Sequence, residues 1–113
     1  MHDEHKQRAI FAAVVEGERV AIFGETMPAA QAVCSELADM LKLSAVECSV
    51  RRVNGRHSID FPGGGRIVFL SLHSEGQRGY SLDRAYVPIC SGRDKVREVL
   101  PCLSVSGGPL VGY

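Results

Sequence analysis

The chain has 113 residues, 45% of them hydrophobic and 23% charged, which is the composition of an ordinary globular protein with room for a single core. No apolar run approaches the roughly 20 residues that span a bilayer. The start Met1-His2-Asp3-Glu4-His5 lacks the basic character of a signal peptide. A membrane partner is thereby excluded, and cytoplasmic residence is the expectation. Met1 followed by a cappable helix is what a natural start looks like. Thirteen basic residues balance thirteen acidic ones, but unevenly. Residues 1–50 carry four Lys or Arg against eight Asp or Glu, whereas residues 51–113 carry nine against five. Such asymmetry is one cue for a nucleic-acid face, although solvated surfaces also produce it.

In chain order, Asp3 is placed to cap a first helix that runs to about Gly17, with Ile10, Phe11, Val14 and Val15 recurring at helical spacing. Residues 19–24, Arg-Val-Ala-Ile-Phe-Gly, suit a short buried strand. Thr26 caps a second helix over 27–42 whose apolar face is Ala30, Val33, Cys34, Leu37, Ala38 and Leu41. Residues 47–53 and 56–61 are β-like, and Asn54-Gly55 between them is a strong hairpin signal because both turn positions need positive φ. After the turn Pro62-Gly63-Gly64-Gly65, residues 66–72 form the most strand-like run of the chain. Two tight connections imply a three-stranded antiparallel meander, with its third strand the most buried. Residues 73–83 read as a loop around Gly76 and Gly79. Residues 85–90 read as a strand that Pro88 shortens, bulges or confines to an edge. A short helix over 94–100, started by Ser91 or Gly92 and ended by Pro101, and final strands at 103–105 and 110–111 complete the chain. The helix–strand–helix start followed by strands gives an α/β fold.

Cys34, Cys48, Cys90 and Cys102 are widely spaced in apolar surroundings and form no Cys-x-x-Cys pair, so they read as buried thiols. No spacing calls for a metal. His57 or His73 would have to join distant cysteines, and His2 and His5 with Asp3 and Glu4 are better explained as a capped helix start. Ser71, His73 and Glu75 are close in sequence, but neighbouring strand-end residues point apart, and a triad is a matter of geometry. No Gly-x-Ser-x-Gly elbow occurs.

Several runs, taken in order, resemble one family. They are Val53-Asn54-Gly55 with Ser58-Ile59-Asp60-Phe61, then Gly65-Arg66-Ile67-Val68-Phe69, then Arg78-Gly79-Tyr80-Ser81-Leu82-Asp83, and finally Val99-Leu100-Pro101-Cys102-Leu103-Ser104. This order is similar to the ATPase domain of the large terminase subunits of tailed phages, over roughly 19–113. The resemblance implies a small, partial P-loop-like three-layer α/β core with a central mixed sheet that includes the antiparallel hairpin and meander. It also implies one truncated domain spanning 1–113.

The departures shape the functional expectation. A phosphate cradle needs Gly-x-x-x-x-Gly-Lys-Ser/Thr, and this chain has none. Gly63-Gly64-Gly65 lies in a hairpin turn with no following Lys. The strand that would end in the Walker B carboxylates ends in Pro88-Ile89, which can neither hold magnesium nor orient water. The chain is therefore read as a non-catalytic, phage-derived binding or regulatory module without a cofactor. DNA, a phage packaging or replication protein, and a second copy of itself are the expected partners, in the host cytoplasm. Arg51, Arg52, Arg56 and Arg66, with His57 beside them, are the candidate nucleic-acid contacts, through phosphates. Edge protection of the hairpin is the competing explanation. Arg78 and Ser81 are the candidate phosphate ligands, since a guanidinium suits bidentate phosphate recognition; a plain turn with Arg78 exposed or paired to Asp83 is the alternative. Two further readings stay open: a residual nucleotide-binding or nucleic-acid-processing enzyme using Arg78, Ser81 and Asp83, and an interaction protein with no nucleic-acid role.

Overall fold

Alternate residues of β1 (Arg19–Gly24) feed two different cores. Val20 and Ile22 pack with Ile59, Ile67, Phe69 and Tyr86 under the helices, while Ala21 and Phe23 pack with Val68, Leu70, Ala85 and Val87 on the other side. This is the period-2 consequence of a strand buried on both faces. The computed structural model describes residues 1–53, 56–72, 81–88, 96–97, 99–103 and 106–113.

The other elements are α1 (Asp3–Val14), α2 (Met27–Leu43), β2 (Ser49–Val53), β3 (Arg56–Asp60), β4 (Arg66–Ser71), β5 (Arg84–Val87), a 3-10 helix (Leu100–Leu103) and β6 (Leu110–Gly112). The strands make one six-stranded sheet in the order β2-β3-β4-β1-β5-β6. β4, β1, β5 and β6 run parallel, and β2-β3-β4 is an antiparallel meander. Both α1 and α2 cover one face; Val99, Cys102 and Leu103 cover part of the other. The result is the expected α/β core with a mixed sheet. No helix among the described residues is long and apolar enough to cross a membrane.

α2 follows its sequence closely. Thr26 Oγ1 accepts from the Ala29 amide at 3.3 Å, and Ala30, Val33, Cys34, Leu37 and Leu41 are buried. α1 departs from its sequence in two ways. Its cap is His2, with no side-chain hydrogen bond, rather than Asp3. Its buried stripe is Lys6, Ala9, Ala12 and Ala13, while Phe11 and Val15 are 49% and 65% exposed. The cause is close approach: a Cβ on Gly65 would lie 1.8 Å from the Ala13 carbonyl oxygen. Only alanine-sized side chains fit between α1 and the sheet, so Phe11 and Val15 turn outward while Ile10 and Val14 pack half-buried at the core's margin. Lys6 reaches the surface as an ion pair with Glu36 on α2 and Asp3, with its stem buried and its charge at the edge.

Towards the C-terminus three boundaries move. β5 stops at Val87, so Pro88 shortens it; the strand is internal, paired with β1 and β6. Residues 96–97 and 99 are α-helical and give way at Leu100 to the 3-10 helix, so the α-helix stops just before Pro101, which lies inside the 3-10 turn. Leu103 belongs to that helix, not to a strand, and Leu110–Gly112 is the final strand. Asn54-Gly55, residues 73–80, Ile89, Cys90, and the helix start at Ser91 or Gly92 lie outside the described residues. Of the remaining cysteines, Cys34 and Cys102 are buried and Cys48 is half-buried.

Candidate functional site

The candidate nucleic-acid residues occupy the meander. Cross-strand neighbours are Arg51 and Ser58, Arg52 and His57, Val53 and Arg56, and Asp60 and Arg66. Asp60 draws two of the arginines together: Arg66 Nε lies 2.6 Å from its Oδ1 and Arg51 Nε 3.3 Å from its Oδ2. Both pairs lie on the sheet face opposite the helices. Arg52, one residue on, faces the helix side, where it sits near Cys34. Burial pushes the Cys34 thiol upward in pKa, and the Arg52 charge partly offsets that. Hence Arg51 and Arg66 are brought together around one carboxylate, Arg52 is separated from them by the sheet, and Arg56 lies in the adjacent ladder position.

Of the candidate phosphate ligands, Arg78 falls outside the described residues and Ser81 is exposed. Asp83, two residues on, is committed elsewhere. Its Oδ2 accepts from the Arg19 amide at 2.8 Å and from Arg19 Nε at 3.2 Å. The hydrogen bond from the Arg19 side chain, with the amide and the positive charge adding to it, holds the Asp83 carboxyl below its usual range. Asp83 also anchors the backbone, because its amide donates to the Arg19 carbonyl. Here the Ser-x-Asp run fastens the start of β5 to the start of β1. A second pair beside it, Arg84 Nε to Glu18 Oε1 at 3.1 Å, is largely buried. These contacts lie at the amino-terminal ends of the parallel strands.

The opposite ends form a different surface. The chain leaves β1 over the helix face through α2, and the 3-10 helix between β5 and β6 packs on the other face. Neighbouring strands whose connections diverge leave a crevice at their carboxyl ends, where α/β proteins place ligands. Here that crest carries Glu25, Thr26, Pro88 and Tyr113. The Tyr113 hydroxyl donates to the Phe23 carbonyl, and its amide donates to Val87 O at 2.8 Å, so one residue after β6 ties down the ends of β1 and β5. Burial, with Glu25 nearby, pushes the Tyr113 phenol up to about 12. After Val87 the chain offers Pro88, without a charge or an amide hydrogen.

A groove that sequence reasoning missed lies between the carboxyl-terminal halves of α1 and α2. It has a volume of about 330 Å³ and is lined by Phe11, Val14, Val15, Met40, Leu41 and Val46, among others. The signal was present in the alanines at positions 9, 12 and 13, which mark the true buried stripe of α1. Among the described residues no three His, Cys, Asp or Glu side chains come together as a metal site would need.

A parallel α/β core extended by an antiparallel meander is consistent with a partial P-loop-like core. The chain is similar in structure to the large terminase of a thermophilic bacteriophage. It matches a form in complex with ADP at a TM-score of 0.62 and 20% identity, over 84% of this chain and 25% of that one. A second structure of the same terminase matches at 0.61 and 21%, over 84% and 24%. The chain therefore spans about a quarter of the length of these proteins, and the likeness is one of fold. No protein-family model matches the sequence, and no curated protein does.

Proposed function

We propose that this protein is a terminase-like scaffold that has lost ATPase chemistry and serves as a binding or regulatory module, with DNA, a packaging or replication protein, or a second copy of itself as partner. The observation that carries this reading is the end of β5. The strand beside β1 closes on Pro88, followed in sequence by Ile89, at the crest where a magnesium-binding and a water-orienting carboxylate are needed for ATP hydrolysis. The sequence also holds no Gly-x-x-x-x-Gly-Lys-Ser/Thr run. Asp83, the acid nearest to the Arg78–Ser81 segment in sequence, serves Arg19, which weakens the rival reading of a residual enzyme.

Any DNA contact falls to the meander. Arg51 is the most exposed of the paired arginines, with 64% of its side chain accessible, and the Asp60 between it and Arg66 reduces the local charge. The contact is expected to be weak and salt-sensitive, about one phosphate per arginine that reaches the duplex. Fluorescence anisotropy with a labelled duplex, comparing the parent with an Arg51→Ala, Arg52→Ala, Arg56→Ala triple variant, tests it. Loss of binding with a shallower salt slope supports the nucleic-acid reading; unchanged binding removes it. A melting-temperature rise with magnesium and ATP would overturn the non-catalytic reading.

A further inference from the structure

We infer that the open edge of β6 is the contact through which two copies of this chain associate, as one antiparallel pairing about a twofold axis at Val111. The inference rests on the self-association included in the proposed function and names its interface. β6 is the last strand on its side of the sheet among the described residues. The Pro109 carbonyl accepts from the Ala85 amide at 3.1 Å, and the Tyr113 amide donates to Val87 O at 2.8 Å. In a strand the direction of the backbone groups alternates, so residues 109, 111 and 113 bond inward to β5. The N–H and C=O groups of Leu110 and Gly112 therefore point outward from the sheet.

This edge is complementary to itself. In an antiparallel pair centred on Val111, Leu110 of each copy lies opposite Gly112 of the other, and the two residues exchange both backbone hydrogen bonds. Leu110 then fills the space above a residue without a side chain, and Val111 meets Val111 at the axis. Leu110 and Val111 are each half-buried members of a different core, so both cores continue across the junction. Residues 106–113, Ser-Gly-Gly-Pro-Leu-Val-Gly-Tyr, carry no charged side chain, so no like charges meet. The other edge is guarded: a twofold pairing of β2 about Arg51 sets that arginine against itself, with Arg52 beside it. A three-residue strand makes a small interface, and the dimer is accordingly weak and concentration-dependent.

Sedimentation velocity across a concentration series is expected to show a species of twice the 12.2 kDa chain mass growing in at high concentration. Gly112→Pro removes an outward amide without touching β5, and is expected to weaken the dimer at least ~tenfold with the melting temperature of the dilute monomer unchanged. Val111→Lys places two charges at the axis and is expected to weaken the dimer likewise, with some loss of monomer stability because Val111 packs against the helix-side core. Under mild oxidation Val111→Cys is expected to form a disulfide dimer, because opposed residues in such a pair lie within disulfide reach, whereas Val50→Cys on β2 is not. A dimer unaffected by Gly112→Pro and Val111→Lys overturns this interface and leaves self-association standing. A monomer at every concentration overturns both.

Discussion

The two ends of the parallel strands are built from different materials. At their amino-terminal rim, charge is paired with charge: Arg19 with Asp83, Arg84 with Glu18, and Arg66 with the Asp60 that also holds Arg51. At their carboxyl-terminal crest, among the described residues, the side-chain fastening is Tyr113, bonded to the backbone of Phe23 and Val87. In α/β proteins the crest is where chemistry is placed, yet among the described residues the ion pairs that join strand to strand lie at the rim. The lesson is that the described acids and arginines of the rim tie neighbouring strands together, and that Asp83, at the end of the run resembling a catalytic signature, is a joint to Arg19.

The largest expected effect is at the rim. Gly65→Ala forces a Cβ against the Ala13 carbonyl, and α1 must lift from the sheet. A loss of about 3 kcal/mol is expected in urea unfolding; a loss below about 1 kcal/mol would show that α1 is not pressed against β4. At the crest, the raised Tyr113 phenol means the folded state keeps its proton where the unfolded chain, with the ordinary value near 10, releases it. Stability is therefore full below about pH 10 and falls between there and about pH 12. The fall is at most about 2.7 kcal/mol. Tyr113→Phe should remove that slope; if alkaline melting curves of the two proteins coincide, the crest has no such fastening.

Asp83 gives the rim its own pH signature with the opposite sign. Its folded pKa is lowered, so its contribution is present above the ordinary carboxylate value and is lost as pH falls through the lowered one. Asp83→Asn is expected to cost about 1 kcal/mol at neutral pH, because Arg19 is half-exposed and solvent screens the pair. Acid titration of the variant should show a flatter limb. The smallest effect runs the other way. The Tyr86 hydroxyl is buried without a hydrogen-bond partner among the described residues, so Tyr86→Phe should raise stability by roughly 0.5 kcal/mol. Destabilisation would instead mean that the hydroxyl is held by Arg84, which lies close enough to act on its pKa.

Much of the fold was legible in sequence because the signals were local. Thr26 capped α2, Gly and Pro punctuated the meander, and the apolar run 66–72 became the buried β4. Of the apolar stripe expected on α1, Ile10 and Val14 pack against the core, while Phe11 and Val15 turn out for a non-local reason. Phe11 and Val15 recur at helical spacing as well as Ala9, Ala12 and Ala13 do, and only the closeness of Gly65 selects the alanine side. Pro101 marks the end of the α-helical residues as its sequence predicts, and what only the structure shows is that the chain continues past it as a 3-10 turn, which accepts proline near its start.

The candidate site was legible in kind but not in placement. Arg51, Arg52 and Arg66 stood out as a basic cluster. Alternation alone implied that Arg51 and Arg52 diverge, and the structure added that Asp60 holds Arg51 and Arg66 while Arg52 turns toward Cys34. By itself the sequence determined the α/β class, the meander, the lack of a Gly-x-x-x-x-Gly-Lys-Ser/Thr run and the Pro88-Ile89 pair directly after β5, because each of these is written in adjacent residues. Tertiary structure alone decided that Asp83 is a joint to Arg19, 64 residues away in sequence, that Tyr113 fastens the crest, and that β6 is the last strand of the sheet among the described residues. Those are contacts between distant segments, and local propensity carries no record of them.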